Sequence, residues 1–350
     1  MKRTIGIVGA GVGGLHLALY LQKHGVDATI ITDRTVEEYR NSRLLNTVAH
    51  HHVTVARESY LGIAHWDDPK LSYTYHDHVF NFPQPLRFRG DFSKPSRAVD
   101  YRIYLPTLMQ DFARRGGRIE IRKIEESDIA GLVNRFDLLV VSTGKGALGD
   151  LFSYRPEHSP YTQPQRRLFV GLYKGVKHPN PMNVTLSVSP GHGEMIVIPT
   201  VSFDGIATAL LMENVPGADL EELSTLNYEQ DRAHFLRTVL AKLEKHHPTT
   251  YDRIDTAKFD LAQPQDLLQG GVVPTVRKTV VQFDGKCAIA LGDLHSVVDP
   301  MMGQGANMAS YAAFVMGEEI VKADALDARF CETVDLRRQD RVLAASRWTN

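Results

Sequence analysis

The first fourteen residues constrain the fold more than any other part of the chain. Thr4-Ile-Gly-Ile-Val is a short apolar run that feeds into Gly9-Ala-Gly11-Val-Gly-Gly14. Leu15, Leu17, Ala18, Leu19 and Leu21 follow at helical spacing, Gly25 stops that helix, and Val26–Thr32 reads as a second strand. A G-x-G-x-x-G loop by itself is a weak signal. Between a strand and a helix in a βαβ unit it is the pattern of a dinucleotide site. Gly9 permits the turn, Gly11 lets the backbone approach a pyrophosphate, and Gly14 lets helix and strand pack closely. The pattern expects an acid at the end of the second strand, to bind the adenosine ribose. Asp33 is the candidate, one position late, and Arg34 beside it is the alternative, meeting a phosphate.

A second segment near the far end completes the reading. The apolar run Cys287–Leu291 stops at Gly292-Asp293, and Pro300, Met301, Met302, Gly303, Gly305, Ala306 and Asn307 precede a predicted helix over Met308–Val321. A strand, a Gly-rich turn and a helix start make a site for negative charge. A simple Rossmann NAD dehydrogenase has no such late segment. A flavoprotein needs both, the first loop for the pyrophosphate and the late one for the ribityl chain and ring. The helix start at Gly303–Gly305 would stabilise negative charge near the flavin N1 and C2 carbonyl. The pair therefore points to a bound flavin.

Between these ends the character changes. Phe169–Tyr173, Val184–Ser189, Glu194–Pro199 and Gly205–Glu213 are continuous or alternating β runs separated by turns. The expected fold is α/β: a Rossmann-like FAD-binding domain with an interleaved, mostly antiparallel β-sheet substrate domain. The FAD-binding domain is expected to be discontinuous, over 1–50, 95–155 and 285–327. The substrate domain takes 51–94 and 156–284, and 328–350 forms a C-terminal helix. Pro95–Arg102 reads as the opening of a helix that ends at Arg114-Arg115-Gly116-Gly117, and Asp137–Gly144 as a buried strand closing against the cofactor.

Other classes are disfavoured. A net charge of −1 gives no case for nucleic acid or an acidic membrane surface. No apolar run reaches the roughly 18 residues of a membrane span, and no signal peptide precedes the first strand. Two cysteines, Cys287 and Cys331, form no C-x-x-C and fit a reducing cytoplasm. His50-His51-His52 does not read as a metal site, since strand neighbours point to opposite faces and no further ligand completes the spacing. It reads instead as a strand entering a pocket with one His inward. Tyr73, His76 and His78 sit in an aromatic segment that looks like antiparallel strands.

Several stretches together resemble one family. Gly9–Gly14, Asp137–Gly144 and Gly292-Asp293 with Pro300, Gly303, Gly305 and Asn307 resemble the p-hydroxybenzoate-hydroxylase-like FAD monooxygenases. Arg43–His50, Pro95–Arg102, Ser189–Gly193, Leu268–Pro274, Gly303–Ala313 and Arg337–Asn350 are similar to the oxygenase component of styrene monooxygenases, with the indole monooxygenases as the sister group. The resemblance spans essentially the whole chain. It implies a pocket that includes Asn46, Val48, His50, Tyr73, His76 and Ser96, with Asn46, Tyr73 and His76 as the catalytic candidates. It tips Leu45, Ile198, Leu211, Pro300, Met301 and Met302 from plain core to pocket lining. It assigns Gly9, Gly11, Gly14, Asp33, Arg34, Arg43, Arg97, Asp293, Pro300, Gly303, Gly305, Ala306 and Asn307 to the cofactor.

The resemblance also implies chemistry. Single-component hydroxylases of that fold carry an Asp-Gly motif that helps hold NAD(P)H, where this chain reads Ser142-Thr-Gly144-Lys. Two components are therefore expected: a separate NADH-dependent flavin reductase supplies FADH2. With O2 this would give a flavin C4a-hydroperoxide that epoxidises styrene or another small aromatic alkene. Relatives continue past Asn350, so a further tail is expected, and a homodimer stays open. Halogenases share the fold, but with only Trp66 and Trp348 there is no W-x-W-x-I-P motif. A flavin dehydrogenase and a non-enzymatic flavin carrier remain the other readings.

Overall fold

The computed structural model describes residues 3–46, 49–144, 146–283 and 285–349. Its two layers follow from two kinds of strand. In the first layer the strands are short, and its inner members β1 (Thr4–Val8), β7 (Leu138–Val141) and β16 (Lys286–Ala290) are mostly apolar and buried, beside β2 (Asp27–Thr32), β6 (Arg118–Ile121) and β15 (Val280–Phe283). Continuous apolar runs suit a parallel sheet covered on both faces. Among the described residues the order is β15-β16-β7-β1-β2-β6, parallel except for the edge strand β15. One face carries α1 (Val12–Lys23), α4 (Tyr101–Arg114) and α8 (Gly305–Lys322), whose Leu15, Leu108 and Met316 join Ile5 and Ile7 in one core. The opposite face is closed by α5 (Ile129–Arg135) through Ile129, Leu132 and Val133. Among the smaller helices, α2 (Val36–Arg40) follows β2, and α3 (His52–Leu61) packs against α1 and α8.

The second layer is a sheet of order β12-β8-β11-β10-β9-β4-β5-β3, with β13 also on β8. Its strands are β3 (Ala49–His50), β4 (Tyr73–Phe80), β5 (Leu86–Val99), β8 (Arg167–Lys174), β9 (Val184–Ser189), β10 (Gly193–Ser202), β11 (Gly205–Asn214), β12 (Asp260–Leu261) and β13 (Leu267–Gly271). Here alternation decides which face each residue takes. Met195 and Val197 of β10, Leu210 and Met212 of β11, and Phe169 and Tyr173 of β8 pack under α6 (Arg232–His246). Their neighbours Ile196, Ile198, Ala209, Leu211, Val170 and Leu172 form a second apolar face, which also takes in Tyr73, Ala98 and Met301. The short α7 (Pro248–Tyr251) follows α6, and a two-strand ladder pairs β14 (Thr275–Val276) with β17 (Ser296–Val297). The final helix, α9 (Ala328–Thr349), buries Cys331, Val334 and Arg338, and Arg338 donates to the Ala290 carbonyl at 2.8 Å. No helix of the described residues is long and apolar enough to cross a membrane.

Two expected boundaries move. Pro95–Val99 is not the start of a helix but the end of β5. Ser96, Arg97 and Ala98 pair with Tyr73, His50 and Ala49, and Ala98 and Val99 also pair with β10. Sheet pairing on both sides overrides the local Pro signal. The helix begins at Tyr101, where the Asp100 carboxylate accepts from the Arg102 amide at 2.9 Å. At the other end, α8 starts at Gly305, three residues before the expected Met308.

Candidate functional site: two helix starts facing an apolar sheet

The glycines of the first loop do three different jobs. Gly9 has φ +109°, and a Cβ there would lie 2.3 Å from the Ser142 carbonyl oxygen. A Cβ on Gly14 would lie 2.2 Å from the Gly9 oxygen. Both positions are closed to any side chain by the fold itself. Gly11 differs: a Cβ there would meet no atom of the described residues within 4 Å beyond its own chain neighbours and helix backbone. It heads α1 with no side-chain cap, so the first-turn N–H groups face an open cradle suited to an anion.

A second helix start lies beside the first. α8 also begins without a side-chain cap, at Gln304, and Gly305 has open space where a Cβ would stand. Gly303 has φ +56°, which its turn into the helix requires. His16, the fifth residue of α1, hydrogen-bonds Ser310, the sixth of α8, at 3.0 Å, so the two starts sit at matching depth. Gly292 approaches both Ser142 and Ala309. Two uncapped helix starts thus converge beyond the ends of β1, β7 and β16, with positive dipole ends toward one place. Asp33 is exposed just past the end of β2, and Arg34 lies with its guanidinium 5.6 Å from the Tyr39 ring. Asp293 is exposed next to Gly292. This set fits a dinucleotide flavin: an open cradle for the pyrophosphate, an acid for the ribose, and a helix start for the ring.

The other wall is the apolar face of the sheet. Tyr73, Ile198 and Leu211 belong to it, and Met301 packs onto it from the turn Asp299–Gly303. That turn joins the two halves of the site. Tyr73 is fully buried, and its hydroxyl has no hydrogen-bond partner among the described residues. Burial raises its pKa far above the usual phenol value, so it stays protonated. The pairing of β4 with β5 shifts register between Tyr73 and Tyr75, and the Tyr73 and His76 rings lie 6.5 Å apart, each against Phe92. Burial, then His51 and His78, lower the His76 pKa to about 4. It is a neutral imidazole at neutral pH. Ser96 is buried opposite Tyr73 on β5.

Other expected residues take different places. Arg97 is not directed at a cofactor phosphate: it is buried, with Nη2 2.5 Å from Glu58 and Nη1 3.4 Å from Asp67. The Asn307 side chain has no capacity left for a cofactor either. Its Nδ2 donates to the Ala49 and Gly303 carbonyls at 2.7 Å, and its Oδ1 accepts from the His51 amide at 3.1 Å and the Thr54 hydroxyl at 2.7 Å. It positions the turn. His50 is inward as expected, but its ring nitrogens meet Glu58 and Tyr101 rather than a pocket. Leu45 packs against the core of the parallel layer. Arg43 is exposed and paired with Glu229 at 2.8 Å, and Asn46 is exposed. Met302, Pro300 and Ala306 lie in or next to the turn. Val48 lies outside the described residues.

Sequence reasoning missed His51. Its Nε2 lies 4.0 Å from where a Cβ on Gly303 would be, and it acts electrostatically on His76, so it stands between the turn and the sheet. Strand alternation carried the signal: with His50 turned inward, its neighbour must face the other way. A shallow groove bounded by Arg167, Asp219, Glu222 and Gly271 shares no residue with this site.

Comparison with known proteins decides the family. The chain is 53% identical over 352 residues to styrene monooxygenase StyA of a Pseudomonas species, covering 100% of this chain and 85% of that protein. It is 52% identical, with the same coverage, to StyA of Pseudomonas fluorescens. The chain belongs to the styrene monooxygenase family. Residues 144–253 match the model of the styrene monooxygenase A domain to which substrate binding is ascribed. In this family member that segment contributes β8–β11, including Ile198 and Leu211 of the apolar face. At the level of fold, a flavin-dependent brominase superposes with a TM-score of 0.69 at 15% identity, over 96% of this chain and 83% of the other. Pseudomonas aeruginosa PqsL in complex with 2-aminobenzoylacetate superposes at 0.70 and 12% identity, over 99% and 94%.

Proposed function

We propose that this chain is the oxygenase of a two-component, FAD-dependent styrene monooxygenase. It takes FADH2 made by a separate NADH-dependent flavin reductase and uses O2 to convert styrene to styrene oxide. Membership of the styrene monooxygenase family over the full chain carries this reading. The meeting of a flavin-type double helix start with an apolar sheet face supports it. We place the protein in the cytoplasm, where its two cysteines, which form no disulfide, are at home.

Bound reduced FAD, with O2, supplies the electrophilic oxygen. The chain's residues supply the surroundings. Gly11 with the start of α1 would hold the pyrophosphate, in a turn that Gly9 and Gly14 allow to close, and Asp33 would hold the ribose. Gly303, Gly305 and Ala306 with the start of α8 hold the ring. Transfer of oxygen to an alkene asks for no acid or base at the carbon. It asks for a dry pocket that holds one alkene face. Ile198, Leu211, Met301 and Met302 provide that surface, and Tyr73 and His76, both neutral, border it without adding charge. Ser96, buried opposite Tyr73, would line it, and the exposed Asn46 would stand at its rim.

The test is product analysis with photochemically reduced FAD, O2 and a panel of styrene and indole. Styrene oxide is expected as the main product. No epoxide, or faster turnover of indole, would sink the assignment. Without a reductase, the protein with FAD, styrene and O2 should consume no NADH. Substantial consumption would rule out the two-component reading.

A further inference from the structure

The turn that bears Met301 is fastened to the sheet by a pair of acids. Asp299 heads the turn, and its Oδ1 accepts from the Met301 amide at 3.0 Å. The Asp299 carboxyl faces that of Glu213, near the end of β11, closely enough for the two to interact. Glu213 is 1% exposed, and its Oε1 has no hydrogen-bond partner among the described residues. The nearby cation is already engaged: Arg166 holds Glu194, the residue opposite Glu213 on β10, through contacts of 2.8 and 3.0 Å. Opposite Glu213 on β8 stands Leu168, and the next residue, Arg167, lies 3.6 Å from Glu221. The charges facing Glu213 are therefore Asp299, Glu194 and Arg166.

Two carboxyl groups can share a hydrogen bond only if one keeps its proton. The more buried group is the one that loses most by ionising. We propose that Glu213 is a positioning residue for the substrate edge: as the neutral acid it donates to Asp299 and ties the Asp299–Met302 turn to the sheet. The surroundings agree in sign. Burial first, then Asp299 and Glu194, raise the Glu213 pKa well above the usual carboxyl value, with Arg166 opposing. A raised folded-state pKa means that the tie is fully present below the ordinary carboxyl pKa. It is lost as pH rises through the raised value, when both groups carry charge and repel.

Hydrogen exchange of the FAD-free protein over a pH series tests this with E213Q and E213A. The Gln amide donates to Asp299 and cannot ionise. At neutral pH, protection of the amides over 299–304 should match between wild type and E213Q. At alkaline pH wild type alone should lose protection. In E213A it should be about tenfold lower than in wild type at neutral pH, as expected for one lost hydrogen bond to a charged group, with no further fall at alkaline pH. Equal pH profiles for wild type and E213Q would overturn the proposal. That comparison decides even if E213A does not fold. In the loaded enzyme the KM for styrene should rise with pH in wild type but not in E213Q, with kcat unchanged. A pH-independent KM in wild type would overturn the positioning role. Naming the turn a substrate edge rests on the proposed function. The exchange measurement needs neither flavin nor styrene, so the two ideas fail separately.

Discussion

At the scale of single residues, Glu58 shows what a sequence hides. Its carboxylate has no exposed surface and accepts from His50 at 2.6 Å, Tyr104 at 2.8 Å and Arg97 at 2.5 Å. Tyr104 is in turn 2.7 Å from His16, and His16 reaches Ser310 at the site. Burial lowers the His16 pKa to about 3, so the ring is neutral, and with Tyr104 donating to Glu58 its Nε2 must carry the proton. Burial alone would raise the Glu58 pKa, but contact with His50 and the Arg97 guanidinium outweighs it and brings it to about 2. A depressed carboxyl pKa gives stability that is present above the ordinary value of 4.5 and lost as pH falls toward 2. Glu58→Gln should cost ~3–5 kcal/mol in urea unfolding, because it strands a buried guanidinium. It should also flatten the acid side of the stability profile between those pH values. A loss under about 1 kcal/mol, as for an exposed pair such as Arg43–Glu229, would show that the network is not structural. Nothing in His52–Leu61 announces this role: a lone Glu on a short helix reads as a solvated face. The same limit explains why Arg97 and Asn307 look like cofactor ligands in the sequence. Their partners, Glu58 and the Ala49 carbonyl, are distant in the chain.

At the scale of elements, the glycine loop allows binding to be separated from folding. The spacing of Gly9, Gly11 and Gly14 was legible because each serves a fixed geometric need, yet only the structure tells those needs apart. Gly14→Ala drives a Cβ to 2.2 Å from a backbone oxygen, so the βα unit must shift. Gly11→Ala meets no atom of the other described residues and places a methyl in the cradle itself. The melting temperature of the flavin-free protein should therefore fall by several degrees for Gly14→Ala, as a loss of ~1–2 kcal/mol gives in a domain this large. For Gly11→Ala it should stay near wild type, while FADH2 affinity drops at least about tenfold, or ~1.4 kcal/mol. Unchanged flavin titration in Gly11→Ala would remove the pyrophosphate from this cradle. Local signals misled at Pro95, where a helix-start pattern is held as strand by pairing with β3, β4 and β10. Proline and the following polar residues describe only their neighbours. The ladder that overrides them is built from residues 49, 73 and 200.

At the scale of the whole molecule, the family's substrate-binding segment is not a separable body. Residues 144–253 supply β8–β11 and α6, enough for the packing of Phe169, Met195, Leu210 and Phe235 on one face. The sheet does not close within that segment. β9 pairs with β4 over residues 76–80, β10 with β5, and β8 with β12 and β13, all of them outside it. Cut out, it would expose the edges of β8 and β9 and strip Tyr73, Ala98 and Met301 from the second apolar face. Unpaired edges and an uncovered apolar face favour association over folding. The buried Arg102 adds a further bond between layers: it holds Asp100 at 2.5 Å, at the start of α4, and Asp266 at 2.6 Å, just before β13. The isolated 144–253 segment should therefore aggregate, or stay without a dispersed amide NMR spectrum. The full chain should unfold in one transition whether followed by far-UV or near-UV circular dichroism. A folded, monomeric 144–253 fragment would show that the alternating strand pattern, so plain in the sequence, is sufficient by itself. If it fails to fold, that pattern chose the face of each residue, while the contacts that finish the sheet, and with it the apolar wall of the site, come from the interleaved segments.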